Sequence, residues 1–286
     1  ELTLSLAHER RAQPGEHNPS PRRMKESSSF GKLWQAPTAR RLAHATSQTS
    51  PADSHALGRL IGAAWVVVAY AARGMLRGYL GDSMQSGGGV PFWRCAFGVG
   101  MQLAVLPALL AALCASKGGG SPLFPTPRRL EKWNEAWLRT PSGVWEWAFG
   151  YVFGLFFTFD LLLVPMKANV LAHHVVCLVF HGWVFCAPQR PGLQLVIAGE
   201  AVLEFGTGGS NLSMLLPGSD AVRAFFVLAM SASNAYGTVL TVRWLRLQRG
   251  WWVWLTLLPT ILGILALRQL HVVGEVYKWA HSPAPP

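Results

Sequence analysis

Residues 170–185 read Val-Leu-Ala-His-His-Val-Val-Cys-Leu-Val-Phe-His-Gly-Trp-Val-Phe. The run has the apolar filling of a membrane span, yet it holds His173, His174 and His181 within nine residues. Hydrocarbon tolerates imidazole poorly, so such side chains turn toward a protein interior or a wet cavity, where they bind polar groups or move protons. The stretch therefore predicts a buried helix inside a membrane domain, and the histidines mark a candidate site on it.

The rest of the chain agrees with a membrane setting. Hydrophobic residues make up 51% of the 286 and charged residues 14%, with 13 Trp. A hydrocarbon core of about 30 Å asks for about 20 mainly apolar residues per helix. Seven stretches approach that length: 58–76, 95–115, 144–164, 170–187, 193–216, 221–242 and 251–270. Their apolar runs are continuous rather than alternating, which excludes barrel strands. The expected fold is an all-α polytopic membrane protein of about seven transmembrane helices. Residues 1–56 form a separate N-terminal segment, 57–89 the first span and its loop, 90–275 the main membrane domain, and 276–286 a short tail.

The formal charge of +11 does not point to nucleic acid. Eight of the 25 Lys and Arg fall in the first 56 residues, and most others sit in loops or at span ends, as anionic headgroups favour. A nucleic-acid partner would need a basic folded surface with a recognisable motif, which is missing here. The N-terminal segment is rich in Ser, Pro, Arg, Ala and His, with no acidic residue between Glu26 and Asp53. That composition suits either a disordered tail or an organelle-targeting segment. Residues 128–140 place Leu130, Trp133, Trp137 and Leu138 among charges, as an amphipathic surface helix would.

Cys95, Cys114, Cys177 and Cys186 fall in or beside the spans without a Cys-x-x-Cys pair, so they read as small buried hydrophobes. Cys177 beside His173 or His174 is too little for a zinc assignment, and no metal is assigned. The polar residues within spans are more informative. Asp160 lies in the third, Glu200, Glu204, Thr207 and Asn211 follow one face of the fifth, and Ser231, Asn234 and Thr238 form a stripe on the sixth. Each would cost several kcal/mol if turned unpaired to lipid. They are expected to gather, with the histidines, around one buried cavity.

The pattern Asp160, Met166-Lys167, Leu171-Ala-His-His-Val-Val176 and Glu204-Phe-Gly-Thr-Gly-Gly-Ser-Asn-Leu212 resembles the TLC domain, shared by ceramide synthases and by non-synthase TLC-domain proteins. The resemblance spans roughly residues 90–275 and implies a bundle of six helices formed by spans two to seven. It departs from the synthases after the His pair: no Asp or Glu lies between Glu204 and Asp220, no Lys between Lys167 and Lys278, and Gly206, Gly208 and Gly209 fill the stretch. It therefore implies the non-synthase branch, which acts in membrane lipid homeostasis, in the endoplasmic reticulum or another endomembrane.

Two functions stay open. In one, the cavity binds a membrane lipid through His181, Glu200, Glu204, Thr207, Asn211 and Asn234, without any cofactor. In the other, an acyltransferase uses acyl-CoA as co-substrate: His173 or His174 is the base or acyl carrier, Asp160 or Glu204 orients it, and Asn211 donates to an oxyanion. A retinal protein is excluded, since 251–270 has no Lys for a Schiff base.

Overall fold

The computed structural model describes residues 50–81, 90–116, 142–163, 168–186 and 191–281. The segment before residue 50, the amphipathic stretch 128–140 and Met166-Lys167 lie outside these residues. Among the described residues seven helices follow in order: α1 (Pro51–Leu80), α2 (Phe92–Ser116), α3 (Val144–Leu163), α4 (Ala168–Phe185), α5 (Leu193–Leu215), α6 (Asp220–Leu247) and α7 (Trp251–Ala280). The protein is all-helical, and α1, α2, α3, α6 and α7 are long and apolar enough to cross a membrane. α4 is a shorter apolar helix. α5 has the length, at 23 residues, but Glu200, Glu204 and its Gly, Ser and Asn residues dilute its apolar character.

Local signals set the helix ends. α1 begins at Pro51, earlier than the apolar run suggests, because Ser50 caps it: the hydroxyl accepts from the Asp53 amide at 3.1 Å, and Pro51 needs no amide partner. Ser219 caps α6 through the Val222 amide. α7 runs ten residues past the expected 270, to Ala280.

α5 is the central element, packed on α2 and most extensively on α6, while α7 covers α6. α3 packs on α1, α2 and α4. α1 and α3 run parallel in close contact, with Gly58 against Trp147 and Gly62 against Tyr151. A Cβ at Gly58 would collide with Trp147 Cβ, so glycine is what lets the backbones approach. α5 uses the same device on two sides. A Cβ at Gly208 would lie 2.6 Å from Leu103 of α2, and one at Gly209 would press on the α6 backbone at Phe226, 3.3 Å away. Gly208 and Gly209 thus let α5 sit tightly between two neighbours.

The core between α2, α3 and α5 is aromatic. Phe149, Phe153 and Phe157 stack along one α3 face with centroids 5.7 and 4.8 Å apart, and Phe97 of α2 meets Phe156. α2 widens into a π-helical segment at Met101–Val105, an irregularity common at functional sites. The outer helices expose their apolar residues instead. The most apolar window is 17% buried in α1 and 11% in α7, with Val67, Tyr70, Leu255, Leu262 and Leu267 turned outward. In water such surfaces would drive aggregation; in a bilayer they are the solvated face.

Gly58→Leu is expected to destabilise the protein by about 1–3 kcal/mol by overpacking the α1–α3 contact. Gly74→Leu on the same helix, where a Cβ meets open space, should leave stability unchanged. Thermal unfolding in detergent compares the two.

Candidate functional site

The polar side chains of the spans assemble into three groups rather than around one cavity. In the first, Asp160 at the end of α3 is 2% exposed and accepts from Arg94 Nη2 of α2 at 2.7 Å. His174 Nε2 of α4 lies 3.4 Å from the same carboxylate oxygen, and His174 Nδ1 faces the Val170 carbonyl at 3.0 Å. Arg94 Nη1 also reaches Asn211 Oδ1 of α5 at 3.5 Å. From there Asn211 Nδ2 donates to Gln102 Oε1 at 2.7 Å, and Gln102 Nε2 donates to Glu204 Oε2. One chain of contacts thus runs from His174 to Glu204 through four helices. The π segment carries Gln102, which turns it toward both Asn211 and Glu204.

The second group centres on Arg268 of α7. Its guanidinium donates to Asn234 Oδ1 at 2.9 Å, Thr207 Oγ1 at 2.7 Å and the Leu203 carbonyl at 2.7 Å. Asn234 Nδ2 in turn donates to Gln269 Oε1 at 3.1 Å, and Gln269 Nε2 to Ser231 Oγ. Thr207 and Asn234 are therefore bound to α7, and they do not reach the histidine pair.

The third group is His181 with Glu200. His181 Nδ1 lies 2.9 Å from Glu200 Oε1, and Nε2 lies 2.9 Å from the Gly150 carbonyl. With both nitrogens facing oxygen acceptors, His181 braces α4 against α3 and α5 and leaves no free nitrogen for a ligand. Glu200 Oε2, by contrast, is buried with no hydrogen-bond partner among the described residues.

A cavity of about 120 Å³ lies between α4 and α7, floored by α3, α5 and α6. Its walls are chiefly apolar, from Phe153, Phe157, Leu240, Trp244, Ile261 and Ile264. Polar groups reach it at His173, Glu200, Glu204 and Arg268. The adjacent histidines thus divide. His174 turns inward to the Arg94–Asp160 pair, while His173, displaced by about 100° on the helix, lines the cavity with Cys177, whose Sγ is 3.5 Å from His173 Nδ1. Asp160, His174, Asn211, Thr207 and Asn234 are not among the cavity walls. Cys177 and His173 have no third ligand in reach: among the described residues no group of three or more His, Cys, Asp or Glu is placed to hold a metal.

Arg94, Gln102 and Arg268 were not singled out from the chain, although each joins the expected residues. Arg94 directly precedes an apolar run and Arg268 closes another, so both read as interfacial charges. The available signal was an arginine within or against a hydrophobic stretch, which is costly unless paired. Comparison with family models, curated proteins and solved structures finds no match. The class is fixed by the fold itself, an all-helical protein with apolar helices able to cross a membrane.

Asp160→Asn is expected to cost about 3–5 kcal/mol, because it leaves the Arg94 charge without its partner in a dry setting. The double change Arg94→Met with Asp160→Leu should recover most of that loss. Unfolding by denaturing detergent, followed by tryptophan fluorescence, tests the cycle.

Proposed function

We propose that this is a TLC-type membrane protein of lipid homeostasis, residing in the endoplasmic reticulum or another endomembrane, whose α4–α7 cavity binds a membrane lipid. The observation that carries this reading is the cavity itself: an apolar space between two lipid-facing helices that meets His173, Glu204 and Arg268. An acyl chain would lie among Phe153, Phe157, Ile261 and Ile264, removed from bulk lipid but in a similar medium. A carbonyl or other acceptor of the headgroup region would take the N–H groups that Arg268 does not spend on Asn234, Thr207 and Leu203. This reading draws on residues of the resemblance that lie close together. Asp160 and His174 touch, and Asn211 joins them to Glu204 through Arg94 and Gln102.

Acyl transfer is the second reading, and the exposure of His173 to the cavity favours it. His173 would take the proton from a hydroxyl or amine as it attacks an acyl-CoA thioester, and return it to the CoA thiolate that leaves as the C–S bond breaks. The Cys177 thiol beside it helps hold the ring in place.

In wild-type protein, a photoactivatable acyl lipid is expected to crosslink to α4 or α7. Arg268→Gln should weaken capture about tenfold or more, the worth of one hydrogen bond to a charged group. His173→Ala should lower capture with the fold intact, whereas His174→Ala should lower thermal stability because it removes a contact to Asp160. Crosslinking that ignores both Arg268 and His173 would remove the lipid assignment. Loss of acyl transfer in His173→Ala with capture retained would establish the second reading.

A further inference from the structure

A second cavity lies at the opposite end of α4, where the starts of α1 and α3 meet the end of α4. It is an open cleft of about 440 Å³, lined by His55, Trp147, Tyr151, His181 and Phe185, with Cys186 also in its wall. The residues come together for identifiable reasons. Gly58 and Gly62 bring α1 onto Trp147 and Tyr151, and Phe185 lies over Gly150, where any Cβ would collide with its ring. The His55 and Trp147 rings meet edge-on at 4.4 Å, Trp147 and Tyr151 are 6.3 Å apart, and His181 and Phe185 are 4.3 Å apart.

The polar atoms of this box are largely consumed. Tyr151 Oη and His55 Nε2 lie 2.8 Å apart and bond each other, and both His181 nitrogens are engaged by Glu200 and Gly150. No carboxylate lines the cavity. What remains is the rings of Trp147, Tyr151 and Phe185, with the Glu200 carboxylate one imidazole behind them. Rings of this kind attract a cation through their electron-rich faces. An ammonium bearing N–H groups would also demand acceptors, which this box does not offer. A quaternary ammonium demands none.

We propose that this aromatic box is a binding site for a quaternary ammonium group, supplied by the headgroup of a choline phospholipid. Its position fits, because the three helix ends that form it share one face of the bundle, the level at which headgroups lie. The site is separate from the α4–α7 cavity, so its occupancy does not depend on what that cavity binds.

The full chain is reconstituted in vesicles of equal phosphatidylcholine, phosphatidylethanolamine and phosphatidylglycerol, extracted in mild detergent, and its retained lipid measured by native mass spectrometry. Phosphatidylcholine is expected to exceed phosphatidylethanolamine by about fivefold or more. Trp147→Leu and Phe185→Leu should bring the ratio near one, while Trp147→Phe keeps the preference. Phe185→Leu leaves the α1–α3 contact in place, so it reports on the box even where Trp147→Leu weakens the fold. Excess choline chloride separates the sources: displacement identifies the soluble cation as sufficient, and retention identifies the lipid. Equal retention of the two lipids by the wild type, or a preference that survives both leucine variants, overturns the assignment.

Discussion

The Arg94–Asp160 contact is the constraint from which the interior of this bundle follows. A carboxylate 2% exposed near the end of an apolar helix cannot stay charged without a partner at hydrogen-bond distance, and Arg94 supplies it at 2.7 Å. Satisfying that pair pins the start of α2 to the end of α3. It also recruits His174 from α4 and Asn211 from α5, since each lies against a member of the pair. Four helices are thereby fixed in rotation about their own axes by one charge pair. The consequence for the histidines is direct. His174 is turned inward to Asp160, so its neighbour, about 100° round the helix, faces the α4–α7 cavity.

The glycines of α5 are the apolar counterpart of this arrangement. Gly208 admits Leu103 and Gly209 admits the α6 backbone, so Gln102 comes within reach of Glu204 and Asn211. A bulkier α5 would push α2 away and strand two buried amides and a carboxylate. On the far side, Arg268 ties α7 to α5 and α6 by three hydrogen bonds, although the most apolar window of α7 is only 11% buried. Polar contacts hold where apolar area is sparse, as expected when lipid removes the hydrophobic gain of helix association.

The helices were legible in the chain because their apolar runs are continuous and their polar residues follow helical spacing. The faces of α5 and α6 could be read from Glu204, Thr207 and Asn211, and from Ser231 and Asn234. What could not be read was which polar residue meets which. Glu200 and Glu204 share a face, yet one turn of rise, about 5.4 Å, sends the first to His181 and the second to Gln102. Thr207 and Asn234, read as neighbours of the histidine pair, are instead taken by Arg268. An arginine at the edge of an apolar run can extend to the headgroups or fold inward, and only tertiary partners decide between them. The π segment that aims Gln102 leaves no mark in composition.

The cavities on either side of α4 share a cause. Extensive backbone packing ties α4 to α3 alone. Toward α6 and α7 it is held off by large rings: Phe180 and Trp183 meet Trp244 at 5.6 and 6.2 Å, and Trp183 meets Trp252 at 5.7 Å. Glycines would have let the backbones close, as they do between α1 and α3. Rings at this end and the Asp160–His174 contact at the other leave α4 propped away from α7, with a gap between the two points of support. The His181–Glu200 pair lies near the end of α4, and each partner lines a different cavity. Glu200 Oε2 stays buried there without a hydrogen-bond partner among the described residues.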